Sequence, residues 1–177
     1  QQDKNGMVSV YIGLANIYNK QNNFAQAIEF NLKAINIYEA SSNKFKILIG
    51  YDQIGNLYQK QGNYTKANEY LQRALKLYIE LNNLAGQSSL LLQIGSNQFA
   101  AKQYTKAVDS YNQSIALSKK LKMLPVQAAA CNGLALSYAE LKLYDKAILA
   151  ALEAQQIAQK ASLKIELEQA YETLSKL

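Results

Sequence analysis

The feature that most constrains this chain is a period of 40 residues that runs its length without a slip. Segments beginning at Tyr11, Tyr51, Leu91 and Cys131 read YIGLANIYNKQNNFAQAIEF, YDQIGNLYQKQGNYTKANEY, LLQIGSNQFAAKQYTKAVDS and CNGLALSYAELKLYDKAILA, and a fifth start falls at Tyr171. A branched aliphatic recurs at Leu14, Ile54, Ile94 and Leu134, followed at once by a tiny residue at Ala15, Gly55, Gly95 and Ala135. Three positions on stand Tyr18, Tyr58, Gln98 and Tyr138. An aromatic follows at Phe24, Tyr64, Tyr104 and Tyr144, and then an alanine in every unit: Ala27, Ala67, Ala107 and Ala147. A second small column is Ala34, Ala74, Ser114 and Ala154. A chain that repeats one such unit stacks copies on their neighbours and buries a continuous core between them.

The apolar positions recur at three- and four-residue spacing, with no two-residue alternation, so the units are helical. Each reads as two helices joined by a polar, turn-forming stretch: QNN before Phe24, QGN before Tyr64, KQ before Tyr104. Small columns let helix axes approach closely, and the aromatic columns fill the space beside them. A second boundary falls near Asn43, Asn83, Met123 and Ser162, where Asn and Ser are expected to cap the following helix. Pro125 lies in the first turn of its helix, where a missing N–H is harmless. The expected fold class is all-α, an α-solenoid of helical hairpins.

Composition narrows the function. Apolar residues make up 49% of the 177, enough to bury a core, and no run of 18 of them is present to span a bilayer. Histidine is absent, which removes Ser-His-Asp and Cys-His catalysis and every zinc site that needs imidazole. The single cysteine, Cys131, stands in the column of Tyr11 and Tyr51 and reads as a core thiol. Asp52, Asp109 and Asp145 belong to different columns, and neither a phosphate-cradling glycine loop nor a metal-ligand cluster is present. The net charge of +6 is spread along the chain. Its one tight group, Lys119, Lys120 and Lys122, reads as cations at a helix C-terminus, because no aromatics interleave to stack nucleobases. No catalytic residue, cofactor, metal, nucleic acid or membrane contact is expected, and a protein or peptide is the expected partner.

The columns resemble the tetratricopeptide repeat signature, W-x2-L-G-x2-Y, then A-x3-F, then P. Tyr51-x2-Ile54-Gly55-x2-Tyr58 matches its first half, and Tyr11/Leu14/Ala15/Tyr18 and Cys131/Leu134/Ala135/Tyr138 keep the spacing. Ala67/Leu71 and Ala107/Tyr111 match the alanine-to-large element, whereas Ala27/Asn31 and Ala147/Ala151 match it weakly. The period exceeds the usual value of about 34 residues, and the helix-ending proline is missing. Both departures resemble the long-repeat subgroup of kinesin light chains, polarity adaptors and bacterial signalling proteins. Units are expected at about 8–43, 44–83, 84–123 and 124–162, with 163–177 the first helix of a truncated fifth. That register, starting and stopping inside units, leads to the expectation of a piece from a longer array.

The resemblance implies a right-handed superhelix whose concave side is lined by the first helix of each unit, with ligand-facing residues at fixed offsets. On this chain those offsets give Asn16, Asn19 and Lys20 in the first unit, Gln53, Asn56, Gln59 and Lys60 in the second, and Gln93 and Ser96 in the third. An amide carries both donor and acceptor, so a row of them suits the main chain of an extended peptide. Ile12 and Asp52 stand where the family's carboxylate clamp needs lysine or polar groups, so that mode of binding is not expected. In the fourth unit Gly133, Leu136 and Ala139, with Phe99 from the third, make the inner face small and apolar. Either a ligand side chain docks there or a further unit packs over it, and packing is the preferred expectation. The implied function is a scaffold that binds a peptide or partner domain in its groove. The alternatives are a ligand-sensing segment of a bacterial signalling protein and an array that self-associates through open ends.

Overall fold

The computed structural model describes residues 4–176, and among these it holds nine α-helices and no strand. They are α1 (Lys4–Lys20), α2 (Phe24–Ala40), α3 (Lys44–Lys60), α4 (Tyr64–Glu80), α5 (Leu84–Ala100), α6 (Tyr104–Leu121), α7 (Leu124–Glu140), α8 (Tyr144–Lys160) and α9 (Lys164–Lys176). The 40-residue period is therefore two near-identical halves, each a helix of about five turns and a short break. Every break uses the same device. Its middle residue is left-handed, at Asn22, Ser42, Gly62, Asn82, Lys102, Lys122, Lys142 and Ser162. The next N–H reaches back five residues, as in Asn63 N–H to Tyr58 C=O at 2.9 Å. That bond closes the helix C-terminus in a Schellman-type cap.

The following helices start on an asparagine in four cases. The side chains of Asn23, Asn43, Asn63 and Asn83 accept from the N–H groups of Gln26, Lys46, Lys66 and Gly86, at 2.8 to 3.4 Å. Met123 makes no side-chain cap. The expected cap at Ser162 is also corrected: that residue takes the left-handed turn position at φ 56°, and the helix begins two residues later at Lys164. Pro125 sits in the first turn of α7 as expected.

By its internal contacts the chain divides into two compact units, Gln1–Leu81 and Asn82–Leu177. In the first, α2 packs on α1 and α3, and α4 packs on α3. The small columns lie at the contacts, with Ala27 and Ala67 fully buried. Where glycine replaces alanine the helices close further. A Cβ placed on Gly55 would lie 2.6 Å from Leu71 Cδ2, and one on Gly50 would lie 2.5 Å from Ile35 Cγ1. Aromatic pairs fill the flanks: Tyr18 stacks on Phe30 and Tyr58 on Tyr70, each with centroids 5.6 Å apart. Such pairs contribute about 0.5–1.5 kcal/mol beyond the area they bury. Ion pairs such as Lys44–Glu80 are half-exposed and contribute little.

The second unit repeats the hairpins with a more polar interior. At the position of the aromatic pair it holds Gln98 and Ser110, both buried, with the Ser110 hydroxyl donating to Gln98 Oε1 at 2.7 Å. Ser88 and Ser114, both fully buried, each donate to the other's carbonyl, at 3.1 and 2.8 Å, which joins α5 to α6. Buried hydroxyls are tolerated because each has its partner. Tyr111 fills the centre of this unit: a Cβ on Gly95 would meet its ring at 2.7 Å, and one on Gly133 at 2.4 Å. Burial pushes the Tyr111 hydroxyl above its ordinary range, with Ser96 opposing through a 3.3 Å hydrogen bond.

Candidate functional site

In the first unit, α1 and α3 form two walls and α2 the floor of a cavity of about 380 Å³. Helical spacing explains the convergence. Asn16 and Asn19 are three residues apart on α1, and Gln53, Asn56 and Lys60 follow the same stripe on α3. Gln59 completes the wall, and Asn31 supplies an amide from α2. The lining holds six amide side chains and one ammonium, and no carboxylate. Lys60 Nζ donates to Asn19 Oδ1 at 3.1 Å, tying the α1 wall to the α3 wall at the rim. Asn56 Nδ2 donates to Asp52 Oδ1 at 3.5 Å. Asn31 Nδ2 donates to Ala27 C=O at 2.9 Å in its own helix.

Of the residues named from the sequence, the structure brings together Asn16, Asn19, Gln53, Asn56, Gln59 and Lys60. Lys20, the last residue of α1, is exposed and does not line the cavity. Ser96 lines a separate cavity of about 500 Å³ in the second unit, and Gln93 does not line it. That second cavity has the apolar surface of Leu92, Phe99, Gly133 and Leu136, and α9 adds Glu172 and Lys176 at one side. Sequence reasoning missed Asn31. Its trace was the weak Ala27/Asn31 match to the alanine-to-large element, where Leu71 and Tyr111 stand in the next two units.

Among the described residues no three His, Cys, Asp or Glu side chains gather as a metal site, and no helix is long and apolar enough to cross a membrane. Cys131 is buried and free, and burial, helped by Glu153, pushes its thiol up to about 12, so it is no nucleophile at neutral pH.

Three family models, each described as a tetratricopeptide repeat, match residues 8–44, 46–120 and 86–162. The chain belongs to the tetratricopeptide repeat family. No curated protein matches it in sequence. Among solved structures, this tetratricopeptide array is similar to aspartyl phosphate phosphatase F from Bacillus subtilis, with TM-score 0.86 and 18% identity over 99% of this chain and 46% of that one. It is similar to kinesin light chain-like repeats from Podospora anserina, with TM-score 0.74 and 17% identity over 99% of this chain and 90% of that one. It is also similar to a Rap protein complexed with competence and sporulation factor, with TM-score 0.77 and 16% identity over 96% of this chain and 48% of that one. The array thus spans about half the length of the phosphatase and of the Rap protein. At these identities the likeness is one of fold. Tetratricopeptide arrays are protein-interaction scaffolds, typically without catalysis, and this chain has that architecture.

Proposed function

We propose that the array binds an extended peptide segment of a partner protein, held by its main chain in the groove of the first unit. The observation that carries the reading is the convergence of Asn16, Asn19, Gln53, Asn56 and Gln59 on one cavity of about 380 Å³. Each primary amide offers two donors and an acceptor, so the row matches the alternating N–H and C=O of an extended chain with little demand on its sequence. Lys60, which lines the cavity at its rim, gives that rim a positive bias. Ser96 and Gln93, at the same offsets in the third repeat, belong to the second unit and are no part of this cavity. The Rap protein's occurrence in a complex supports a binding role for this fold.

Asn16→Ala/Asn56→Ala tests the reading. The two side chains are exposed and half-buried respectively, so the variant is expected to fold with an unchanged helical spectrum. Affinity for the captured partner is expected to fall by about fivefold to a hundredfold, the order of two lost hydrogen bonds at about 0.5–1.5 kcal/mol each. Undiminished capture by the folded double variant rules the amide row out.

A further inference from the structure

The polar cavity does not end at Gln53. Along the same stripe of α1 and α3 it adjoins an apolar slot of about 180 Å³, bounded by Ile12, Ile35, Tyr38, Ile49 and Gly50. Asn31 and Gln53 line both spaces and stand at the joint between them. Gly50 is there because Ile35 occupies the volume a side chain would need. Lys46 closes the mouth, its Nζ lying 5.1 Å from the centre of the Tyr38 ring.

Asn31 is hard to explain as packing. Its column holds Leu71, Tyr111 and Ala151 in the other units, and Asn31 is itself buried, 5% exposed. Its recorded hydrogen bond goes to its own helix at Ala27. Leu71 packs on Gly55, where a Cβ would lie 2.6 Å from its Cδ2, but Ala15 stands at that place in the first repeat, so position 31 takes a residue smaller in reach than leucine. Alanine meets the same demand at Ala151, in the repeat that carries Ala135, with no amide to desolvate. Packing therefore asks only for a small residue at position 31 and leaves the amide itself unexplained.

We propose that Asn31 is the specificity-determining residue of this groove. The occupant is an extended peptide segment that buries one branched aliphatic side chain in the slot and sets the adjoining main-chain amide on Asn31 and Gln53. The size fits: an apolar cavity of about 150 Å³ takes benzene, so the slot accepts Leu, Ile, Val or Met. The Lys46 ammonium at the mouth turns away lysine and arginine by like charge.

This inference rests on the reading of the first-unit groove as a peptide site, and the experiment separates the two. A display library of random twelve-residue peptides is selected on the intact array. Enriched peptides are expected to share one branched aliphatic or methionine at a fixed point, flanked by variable residues. Its replacement by alanine is expected to weaken binding about tenfold or more, as for other lost apolar contacts in a fitted pocket. Asn31→Ala is expected to cost the same while its thermal midpoint stays near the parent's. Ile49→Asp, at a position 41% exposed, reads the slot again should Asn31→Ala misfold. Peptides that bind Asn31→Ala and Ile49→Asp as tightly as the parent, a selected residue replaceable by alanine, or no enrichment at all overturns the proposal. Loss in Asn16→Ala/Asn56→Ala without loss in the slot variants leaves the amide row standing and removes the slot; the reverse removes the amide row alone.

Discussion

Gly55→Ala is the smallest change that tests how these hairpins close. An added Cβ lies 2.6 Å from Leu71 Cδ2 and 2.8 Å from Cγ, with the Ala67 carbonyl at 3.4 Å. Carbon atoms pack at about 3.5–4.0 Å, so Leu71 has to retreat by about 1 Å. It is fully buried and backed by fully buried Ala67, so it has little room to do so. Overpacking of this kind costs about 1–3 kcal/mol. Alanine returns about 0.5–1 kcal/mol through helix propensity, leaving a net loss of about 0.5–2 kcal/mol. Leu71→Ala alone leaves a void and costs about 2–5 kcal/mol. In that background the added methyl meets no branch, so Gly55→Ala becomes neutral or favourable, and the cycle shows coupling of about 1–3 kcal/mol. Urea unfolding followed by circular dichroism measures each corner. Because repeat arrays unfold in parts, amide hydrogen exchange in α3 and α4 localises the effect. A Gly55→Ala protein more stable than the parent refutes the close-approach argument, and so does an identical cost in both backgrounds.

The left-handed turn residues give a second set of predictions. Only Gly62 among those eight positions is glycine, and lysine occupies three. Lys142→Gly is expected to stabilise by about 0.5–1 kcal/mol, the strain of a left-handed L-residue less the entropy of glycine. Gly62→Ala is expected to cost about 1 kcal/mol, and thermal midpoints check both. Cys131 is expected to resist a thiol reagent at pH 8 in the folded protein and to react at the rate of unfolding. Its folded thiol titrates at about 12, and the unfolded one near the ordinary 9.0. The stability that comes from keeping it protonated is therefore complete below pH 9 and declines at higher pH, by about 1.4 kcal/mol per unit. Tyr51, Tyr78 and Tyr111, also raised chiefly by burial, add to the loss further up. Comparing parent with Cys131→Ala by urea midpoint between pH 8 and 10 isolates the thiol. Equal slopes refute the assignment.

What the sequence disclosed and what it concealed follow one physical rule. A residue that must fit the same neighbour in every unit is legible as a column: Ala27, Ala67, Ala107 and Ala147 all have no exposed surface, and each meets a facing helix. The amides at Asn16 and Asn56 were legible for the same reason, since a fixed offset on a fixed helix fixes a direction. Lys20 shared the offset argument with Lys60, but whereas Lys60 reaches across to Asn19 of α1, Lys20 does not line the cavity. Ser162 had the chemistry of a cap in the wrong place, because the turn's backbone, and not its side chains, sets where the next helix begins. Substitutions that compensate one another were harder to see. Gln98 looked like a lapse in a tyrosine column until Ser110, in a column of Phe30 and Tyr70, was found bonded to it at 2.7 Å. Asn31 is a mixed case: its size answers Ala15, which stands where Gly55 faces Leu71 in the next repeat, but its amide donates within its own helix, to Ala27. Where a repeat breaks its own pattern and the neighbours repair the break, the change is structural. A buried amide on a groove floor, where Ala151 meets the same packing demand in its own repeat, is the kind of break that binding explains and folding does not.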